Sequence, residues 1–122
     1  MGMKYKLTFT AGSSTGVVPV TITRLTDNQQ VSFIPAPAHI IDISQLTPSS
    51  PTSQCILYIF RNGYLIWVSS VVTEYSPTLP SKKPVDLVIT GQPNDQITFS
   101  ANVLVASSAT GGDAYTVIIE VE

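Results

Sequence analysis

Few of the 122 residues in this chain are of types that perform acid–base or nucleophilic chemistry. Their spacing in the sequence does not place them together in one site. The sequence has one histidine, His39, one cysteine, Cys55, and eight carboxylates. His39 and Asp42 are three residues apart on a predicted strand, where side chains alternate between faces, so we expect them to face opposite ways. No Gly-x-Ser-x-Gly elbow supports any of the 14 serines as a nucleophile. The residues therefore predict a protein that is not an enzyme and has no catalytic residues.

Metal and cofactor sites find little support in the same residues. One histidine and one cysteine cannot close a tetrahedral transition-metal site. Calcium accepts backbone carbonyls with one or two carboxylates, so the loops Asn94-Asp95 and Gly111-Gly112-Asp113 stay open as candidates. Aspartate in such a turn usually bonds its own backbone instead. The second loop also lacks the lysine of a phosphate-binding loop. We therefore predict no metal and no cofactor.

Charge is scarce and scattered. Charged residues make up 11% of the chain, with a formal net charge of −2, against about 25% in an average protein. The six basic residues do not form the cluster that phosphate contacts require, which argues against a nucleic-acid partner. The longest apolar runs, residues 56–60 and 64–68, are far shorter than the roughly twenty residues of a membrane-spanning helix. We expect neither nucleic-acid binding nor a membrane span.

The elements that position these residues are strands. Valine, isoleucine and threonine together number 39 of the 122 residues, and such side chains favour a pleated sheet over a helix. Alternating segments, each ended by turn residues, occur at residues 4–10, 17–24, 85–90, 96–106 and 114–122. Residues 31–34 and 39–44 form one broken strand or two short ones, and residues 55–72 form a further strand segment that does not alternate. Their spacing of about ten residues predicts an all-β antiparallel β-sandwich of eight or nine strands. A single jelly roll is favoured, and an immunoglobulin-like order of the same strands stays open.

The alternation also predicts which side chains face the core. In the first segment Tyr5, Leu7 and Phe9 point one way and polar residues the other. The last three segments give the inward positions Val85, Leu87, Ile89, Ile97, Phe99, Ala101, Val103, Val105, Tyr115, Val117, Ile119 and Val121. Pro19 has no amide hydrogen, so its strand is expected at a sheet edge or with a bulge. Residues 46–54 and 75–84 are predicted to be surface loops of one domain, residues 1–122. Cys55 is expected to be a small buried side chain, the alternative being a disulfide between two copies.

One segment breaks the pattern of apolar and polar faces. Asn62-Gly63 predicts a two-residue type I′ turn, with the strands of a hairpin on either side. That turn pairs the flanking residues in the order Arg61 with Tyr64, Phe60 with Leu65, Ile59 with Ile66, Tyr58 with Trp67, and Leu57 with Val68. One face of the hairpin then carries Leu57, Ile59, Ile66 and Val68, and the other carries Ile56, Tyr58, Phe60, Leu65 and Trp67. Both faces are apolar.

A hairpin that is apolar on both faces needs cover on both, and a two-layer sandwich covers only one. One of the two long loops could fold over the outer face. Alternatively, the aromatic face is buried against another subunit, since exposed apolar patches of this size are rare on monomers. A third reading makes Trp67 and Tyr58 a platform for sugar rings. The second reading gives the candidate interface residues Ile56, Tyr58, Phe60, Leu65 and Trp67.

The whole chain resembles small virion proteins built on a single jelly roll, including minor capsid, decoration, turret and spike domains. The shared features are eight or so strands, little charge, 28 serines and threonines, and proline-bearing loops. The hairpin CILYIFRNGYLIW also looks like hairpins of phage fibre and tail-tip domains. The resemblance implies a structural virion component that forms homo-oligomers, contacts other virion proteins and uses no cofactor. The alternative is a carbohydrate-binding or adhesive sandwich module, with a glycan partner and an extracellular location.

Overall fold

The structure, a computed structural model, describes residues 2–46, 52–68 and 81–122. The described residues form strands and no helix. The eleven strands are β1 (Met3–Ala11), β2 (Gly16–Pro19), β3 (Thr21–Arg24), β4 (Gln29–Val31), β5 (Ile34–Pro35), β6 (Ala38–Leu46), β7 (Gln54–Arg61), β8 (Tyr64–Val68), β9 (Ser81–Ile89), β10 (Gln96–Val105) and β11 (Asp113–Val121). The count exceeds the predicted eight or nine because the segments 17–24 and 31–34 each correspond to two short strands, β2 with β3 and β4 with β5.

The strands form two antiparallel sheets. Sheet A has the order β4-β3-β1-β11-β6-β9, and sheet B has the order β2-β10-β7-β8, with β5 pairing β10 beside β2. The inner faces of both sheets meet in one cluster of buried side chains. The prediction of an all-β antiparallel β-sandwich is therefore confirmed.

The core consists of alternate residues from the longest strands. In β1, Tyr5, Leu7 and Phe9 are buried as predicted, and the lysines and threonines between them are not. The same holds for the predicted inward residues of β11 and for β10 as far as Val103. The prediction that Val105 faces the core is wrong. The register with β7 shifts after Val103, and the Val105 side chain is 45% exposed. A bulge of this kind reverses the alternation beyond it.

The segment predicted as one strand over residues 17–24 is two strands in different sheets. β2 pairs with β10 in sheet B, and β3 pairs with β1 in sheet A. Val18 and Ile22 still lie on the inner side, because the inner faces of both sheets meet the same core. Pro19 ends β2, an edge strand, as predicted from its missing amide hydrogen. Residues 31–34 and 39–44 fall in β4 to β6, with β6 continuing to Leu46.

The two predicted loops are shorter than expected where the structure describes them. β6 ends at Leu46 and β7 begins at Gln54, while residues 47–51 lie outside the described residues. Residues 81–84, predicted as loop, belong to β9 and pair with β6 at the edge of sheet A. A proline is tolerated there because an edge strand pairs on one side only. Residues 75–80 lie outside the described residues.

Candidate assembly interface

The β7–β8 hairpin turns at Asn62 and Gly63, as the sequence predicts. Both residues have a positive φ, of 50° and 83°, which is the conformation that a type I′ turn requires. Arg61 and Tyr64 form the first pair beside the turn, also as predicted. The turn is tied to β10, because the Asn62 N–H donates to the Gln96 carbonyl at 2.8 Å and the Asn62 Oδ1 accepts from the Gln96 N–H at 2.8 Å.

Replacing Asn62 separates its two contributions to the turn. We expect Asn62→Ala to lower the free energy of unfolding by about 2 kcal/mol, because it loses a side-chain hydrogen bond and leaves a Cβ residue in a left-handed conformation. Asn62→Gly loses the same bond without the conformational cost, so its loss should be smaller. Urea denaturation followed by the fluorescence of Trp67 measures both. Equal losses in the two variants would show that backbone conformation contributes nothing at this position.

The register departs from the prediction beyond the second pair. Phe60 faces Leu65 as expected, but the register shifts between Phe60 and Ile59, and Ile59 then faces Trp67. The predicted partner of Ile59 was Ile66, which now falls within the bulge. A one-residue shift moves every later side chain of the strand to the opposite face.

The bulge brings Trp67 to the core side of sheet B. Its neighbour across the strands, Ile59, is fully buried, and Trp67 is half-buried against the same core. Tyr58 faces Val68 instead, a residue predicted to pair with Leu57. The prediction that Trp67 shares a face with Tyr58 is therefore wrong. The sugar platform that these two rings were to form is not present, because they lie on opposite faces of the sheet.

We define the outer face of sheet B by the side chains that alternate with the buried ones across its four main strands. Pairing places them side by side, from β2 through β10 and β7 to β8. They are Val17 and Pro19 on β2, Thr98, Ser100 and Asn102 on β10, Ile56, Tyr58 and Phe60 on β7, and Leu65 and Val68 on β8. None of these side chains is charged. A central column of small polar groups is flanked on both sides by apolar ones.

Four of the five predicted interface residues lie together on this face. Ile56, Tyr58 and Phe60 are half-buried by their neighbours, and Leu65 is 53% exposed. The rings of Tyr58 and Phe60 meet edge to face, with centroids 6.3 Å apart. The Asn102 amide donates to the Tyr58 hydroxyl at 3.2 Å. These contacts hold the aromatic side chains in place before any partner binds.

Among the members that sequence reasoning missed are two exposed valines. Val17 is 68% exposed and Val68 is 45% exposed. Val17 reaches the face only because β2 pairs with β10, and Val68 only because of the bulge in β8. Neither strand pairing nor a bulge is encoded in the period of the sequence.

The outer face of sheet A has the opposite character. Lys4 and Lys6 project from β1 between buried residues, and Lys4 lies opposite Glu120 of β11. Burying such groups against a partner would cost their hydration. Interface cores are correspondingly depleted of charged residues. Of the two broad faces, the outer face of sheet B is the one that can be buried at low cost.

His39 lies on the outer side of sheet A with two carboxylates. Its Nε2 is 2.6 Å from Asp86 Oδ1, and its Nδ1 is 3.3 Å from Glu122 Oε2. A nucleophile–His–Asp set needs one ring nitrogen for the nucleophile, and here both nitrogens contact carboxylates. The prediction that His39 and Asp42 face opposite ways is wrong, because the strand bulges between Ile40 and Asp42 and puts both on one side.

The carboxylates of the two candidate calcium loops bond to the protein itself. Asp95 Oδ2 accepts from the Gln92 N–H at 3.0 Å. Asp113 is 4% exposed, and its Oδ2 accepts from the N–H groups of Thr52 and Ser53, both at 3.1 Å, and from the Ser53 hydroxyl at 2.6 Å. These bonds describe structural turns. Among the described residues, no group of three or more histidine, cysteine or acidic side chains is placed to hold a metal ion.

Cys55 is fully buried in β7, as expected for a small apolar side chain. Burial raises the pKa of its thiol to about 11, with a smaller contribution from the nearby Asp113 carboxylate. The thiolate is the reactive form. We therefore expect the native protein to resist thiol-specific reagents at neutral pH and to react fully once unfolded. A disulfide-linked dimer on a non-reducing gel of the native protein would contradict this.

Comparison with known proteins identified no relative of this chain. The chain matches no family model, and no curated protein matches its sequence. Among the described residues, none forms a helix of the length and apolarity that crossing a membrane requires. The surfaces described above are therefore the basis for the function proposed below.

Proposed function

We propose that the protein is a structural subunit that assembles with copies of itself through the outer face of sheet B. The observation that carries the proposal is that this face has no charged side chain, whereas the outer face of sheet A carries Lys4, Lys6 and Glu120. An uncharged face can meet its own copy without placing like charges opposite one another. Repeating one such contact around a closed symmetry supplies the assembly energy.

The face supplies about half of the area that a stable interface buries on each partner. The four strands contribute 4, 10, 8 and 5 residues. At a rise of about 3.3 Å per residue and a strand spacing of about 4.8 Å they present roughly 400 Å² of flat surface. A stable interface typically buries about 800 Å² on each partner. The face alone therefore provides a large part of such an interface.

We further infer that the strand order is that of a single jelly roll. Without the short strands β3, β4 and β5, eight strands remain in chain order. The first pairs with the eighth (β1 with β11), the second with the seventh (β2 with β10), the third with the sixth (β6 with β9), and the fourth with the fifth (β7 with β8). This nested pairing is what one long hairpin gives when it is rolled into two sheets. An immunoglobulin-like order would not nest the pairs in this way.

We propose a virion as the setting, with the chain as a capsid, decoration or spike component. The nested strand order, the low charge and the abundance of serine and threonine support this reading, since the small virion proteins that the sequence resembles share them. Other virion proteins are then its partners besides its own copies. Detection of its peptides by mass spectrometry in particles purified by density gradient tests the setting.

The second candidate is an adhesive or carbohydrate-binding module. Tyr58 with the Asn102 amide and Ser100 on one exposed face favours it, because sugars bind to aromatic rings beside hydrogen-bonding groups. Trp67, the second ring of the predicted sugar platform, lies on the core side of the sheet and is not available on this face. The structural role is therefore preferred.

The oligomeric state separates the two candidates. Size-exclusion chromatography with light scattering should show a dimer, trimer or larger closed ring. A strict monomer up to high concentration would overturn the structural proposal. Saturable binding of a glycan by that monomer, lost in Tyr58→Ala, would establish the alternative.

A further inference from the structure

Among the described residues, the strand order ends at β4 and β9 in sheet A and at β2 and β8 in sheet B, and the two-residue β5 pairs only with β10. An edge strand presents unpaired N–H and C=O groups, which pair with another chain unless something blocks them. Three of the four edges carry such a block. β2 ends in Pro19, β9 contains Lys82, Lys83 and Pro84, and β4 is three residues long and has two glutamines. β8 has no charged residue and no proline, and its one irregularity is the bulge at Ile66.

β8 is instead an exposed apolar edge. Its sequence, YLIWV, contains no charge, no proline and no glycine. Tyr64 is 79% exposed, Leu65 53%, Ile66 41% and Val68 45%. Within the described part of the chain, β8 is paired with β7 and with no other strand. A strand of this kind is the type that joins another strand when copies meet.

The hairpin geometry shows which main-chain groups are available. Residues that flank a two-residue turn exchange both of their hydrogen bonds, so Arg61 and Tyr64 form a hydrogen-bonded pair. The next pair, Phe60 and Leu65, is then a non-hydrogen-bonded pair, because the two types alternate. The N–H and C=O groups of Leu65 therefore point away from β7, towards the free edge.

We propose that β8 pairs antiparallel with the β8 of a second copy across a two-fold axis, which joins two copies of sheet B into one continuous sheet. The inference rests on the proposed function, and it names the contact that builds the assembly. A two-fold axis is the commonest symmetry of protein dimers and places a surface against itself. A strand without charge meets that requirement, because no like charges are brought together.

Continuity with the outer face of sheet B supports a second copy as the occupant. Leu65 and Val68 belong both to that face and to the β8 edge. Joining two sheets through β8 doubles the uncharged surface from roughly 400 to roughly 800 Å², the size that a standard interface buries on one partner. Two joined pairs can then stack face to face. The proposal therefore expects an assembly with an even number of copies.

Hydrogen exchange of the Leu65 amide tests the pairing directly. We expect slow exchange in the assembled protein and fast exchange in a dilute, monomeric sample. The amide of Tyr58, which faces β10 inside the sheet, is the internal reference. Slow exchange in the monomer would show that another part of the same chain covers the edge. Fast exchange in the assembly would show that the copies meet elsewhere. Either result overturns the β8 pairing.

Two variants at the same position complete the test. Leu65→Pro removes the edge donor and leaves the ladder to β7 intact, so self-association should weaken by on the order of tenfold or more, since a two-fold axis removes the bond twice. Leu65→Thr keeps the N–H and a strand-favouring side chain, and should weaken it less. Unchanged fluorescence of Trp67, which packs against the core, shows that the hairpin is folded. Equal weakening would overturn the pairing in favour of a contact made by the side chain alone.

The outcomes separate this inference from the proposed function. An odd-numbered ring would refute the β8 pairing and leave the structural role in place. A strict monomer would overturn both. An even-numbered assembly with a protected Leu65 amide supports both.

Discussion

Phe60→Glu is expected to reduce the mass of the assembly by at least half, while Ile118→Glu leaves it unchanged. Phe60 lies on the outer face of sheet B, in the central strand β7 and near the hairpin turn, with Leu65 beside it. A carboxylate buried there against another copy has no partner on a face without charge. The cost of such burial amounts to several kcal/mol, so the affinity should fall on the order of a hundredfold or more.

Ile118 is the matched control for this substitution. It also lies on a central strand, β11, and is half-buried on the outer side of its sheet, but that sheet is sheet A. Lys6 is directly opposite it, so a glutamate at this position gains a cation as a neighbour. Both variants exchange an apolar residue for a glutamate in a strand and should have similar effects on folding. The two variants differ in the face that carries the new glutamate, and only the face of sheet B is expected to be buried in the assembly.

Light scattering and sedimentation velocity measure the mass of the natural protein and of the variants Phe60→Glu and Ile118→Glu. Thermal unfolding shows that each protein is folded. If Ile118→Glu dissociates the assembly and Phe60→Glu does not, the copies meet through sheet A. The outer face of sheet B would then not be the interface. If neither variant has an effect, the broad faces are not the contact at all.

The contrast between the two faces is only partly visible in the sequence. A period of two residues predicts which side chains of one strand share a face, and it correctly identified Tyr5, Leu7 and Phe9 as inward. The same period does not say which sheet a strand joins. Residues 17–24 alternate without a break although the chain passes from sheet B to sheet A, because both inner faces meet one core.

The candidate site shows the same limit at the level of single residues. The Asn62-Gly63 turn and the pairs next to it could be predicted, because the turn requires residues that accept a positive φ. The bulge beyond them could not, since the apolar run of β8 contains no turn residue that marks it. Its consequence is large: Trp67, the largest side chain of the predicted interface, lies on the core side and Val68 takes its place.

Asp113 gives the second large effect expected, on stability. Its carboxylate joins the start of β11 in sheet A to the residues that lead into β7 in sheet B. It accepts hydrogen bonds from the Thr52 and Ser53 N–H groups and from the Ser53 hydroxyl, and Ser107 also bonds to it. The Tyr115 hydroxyl also donates to the Ser53 carbonyl at 3.2 Å. Truncation to alanine would leave the Thr52 and Ser53 N–H groups without this acceptor.

We expect Asp113→Ala to lower the free energy of unfolding by about 3 kcal/mol, because each unsatisfied buried donor costs about 1–3 kcal/mol and water can reach part of the space left behind. Asp113→Asn keeps one oxygen acceptor of the same shape and should lose less. Chemical denaturation at neutral pH measures both. A loss below about 0.5 kcal/mol for the alanine variant would mean that the network contributes no more than a surface residue.

The stability of the protein should also depend on pH through this group. Burial raises the pKa of Asp113, but the hydrogen bonds from Ser53, Thr52 and Ser107 outweigh it, so the pKa lies below its ordinary value of 3.8. A carboxyl group whose pKa is lower in the folded state stabilises the fold above its unfolded pKa, and this contribution disappears as the pH falls through the folded pKa. Denaturation midpoints measured from neutral pH down to about pH 3 should therefore fall more steeply for the natural protein than for Asp113→Asn, whose amide does not titrate. Parallel curves would assign the acid sensitivity to other carboxylates and leave the Asp113 network as a pH-independent contact between the two sheets.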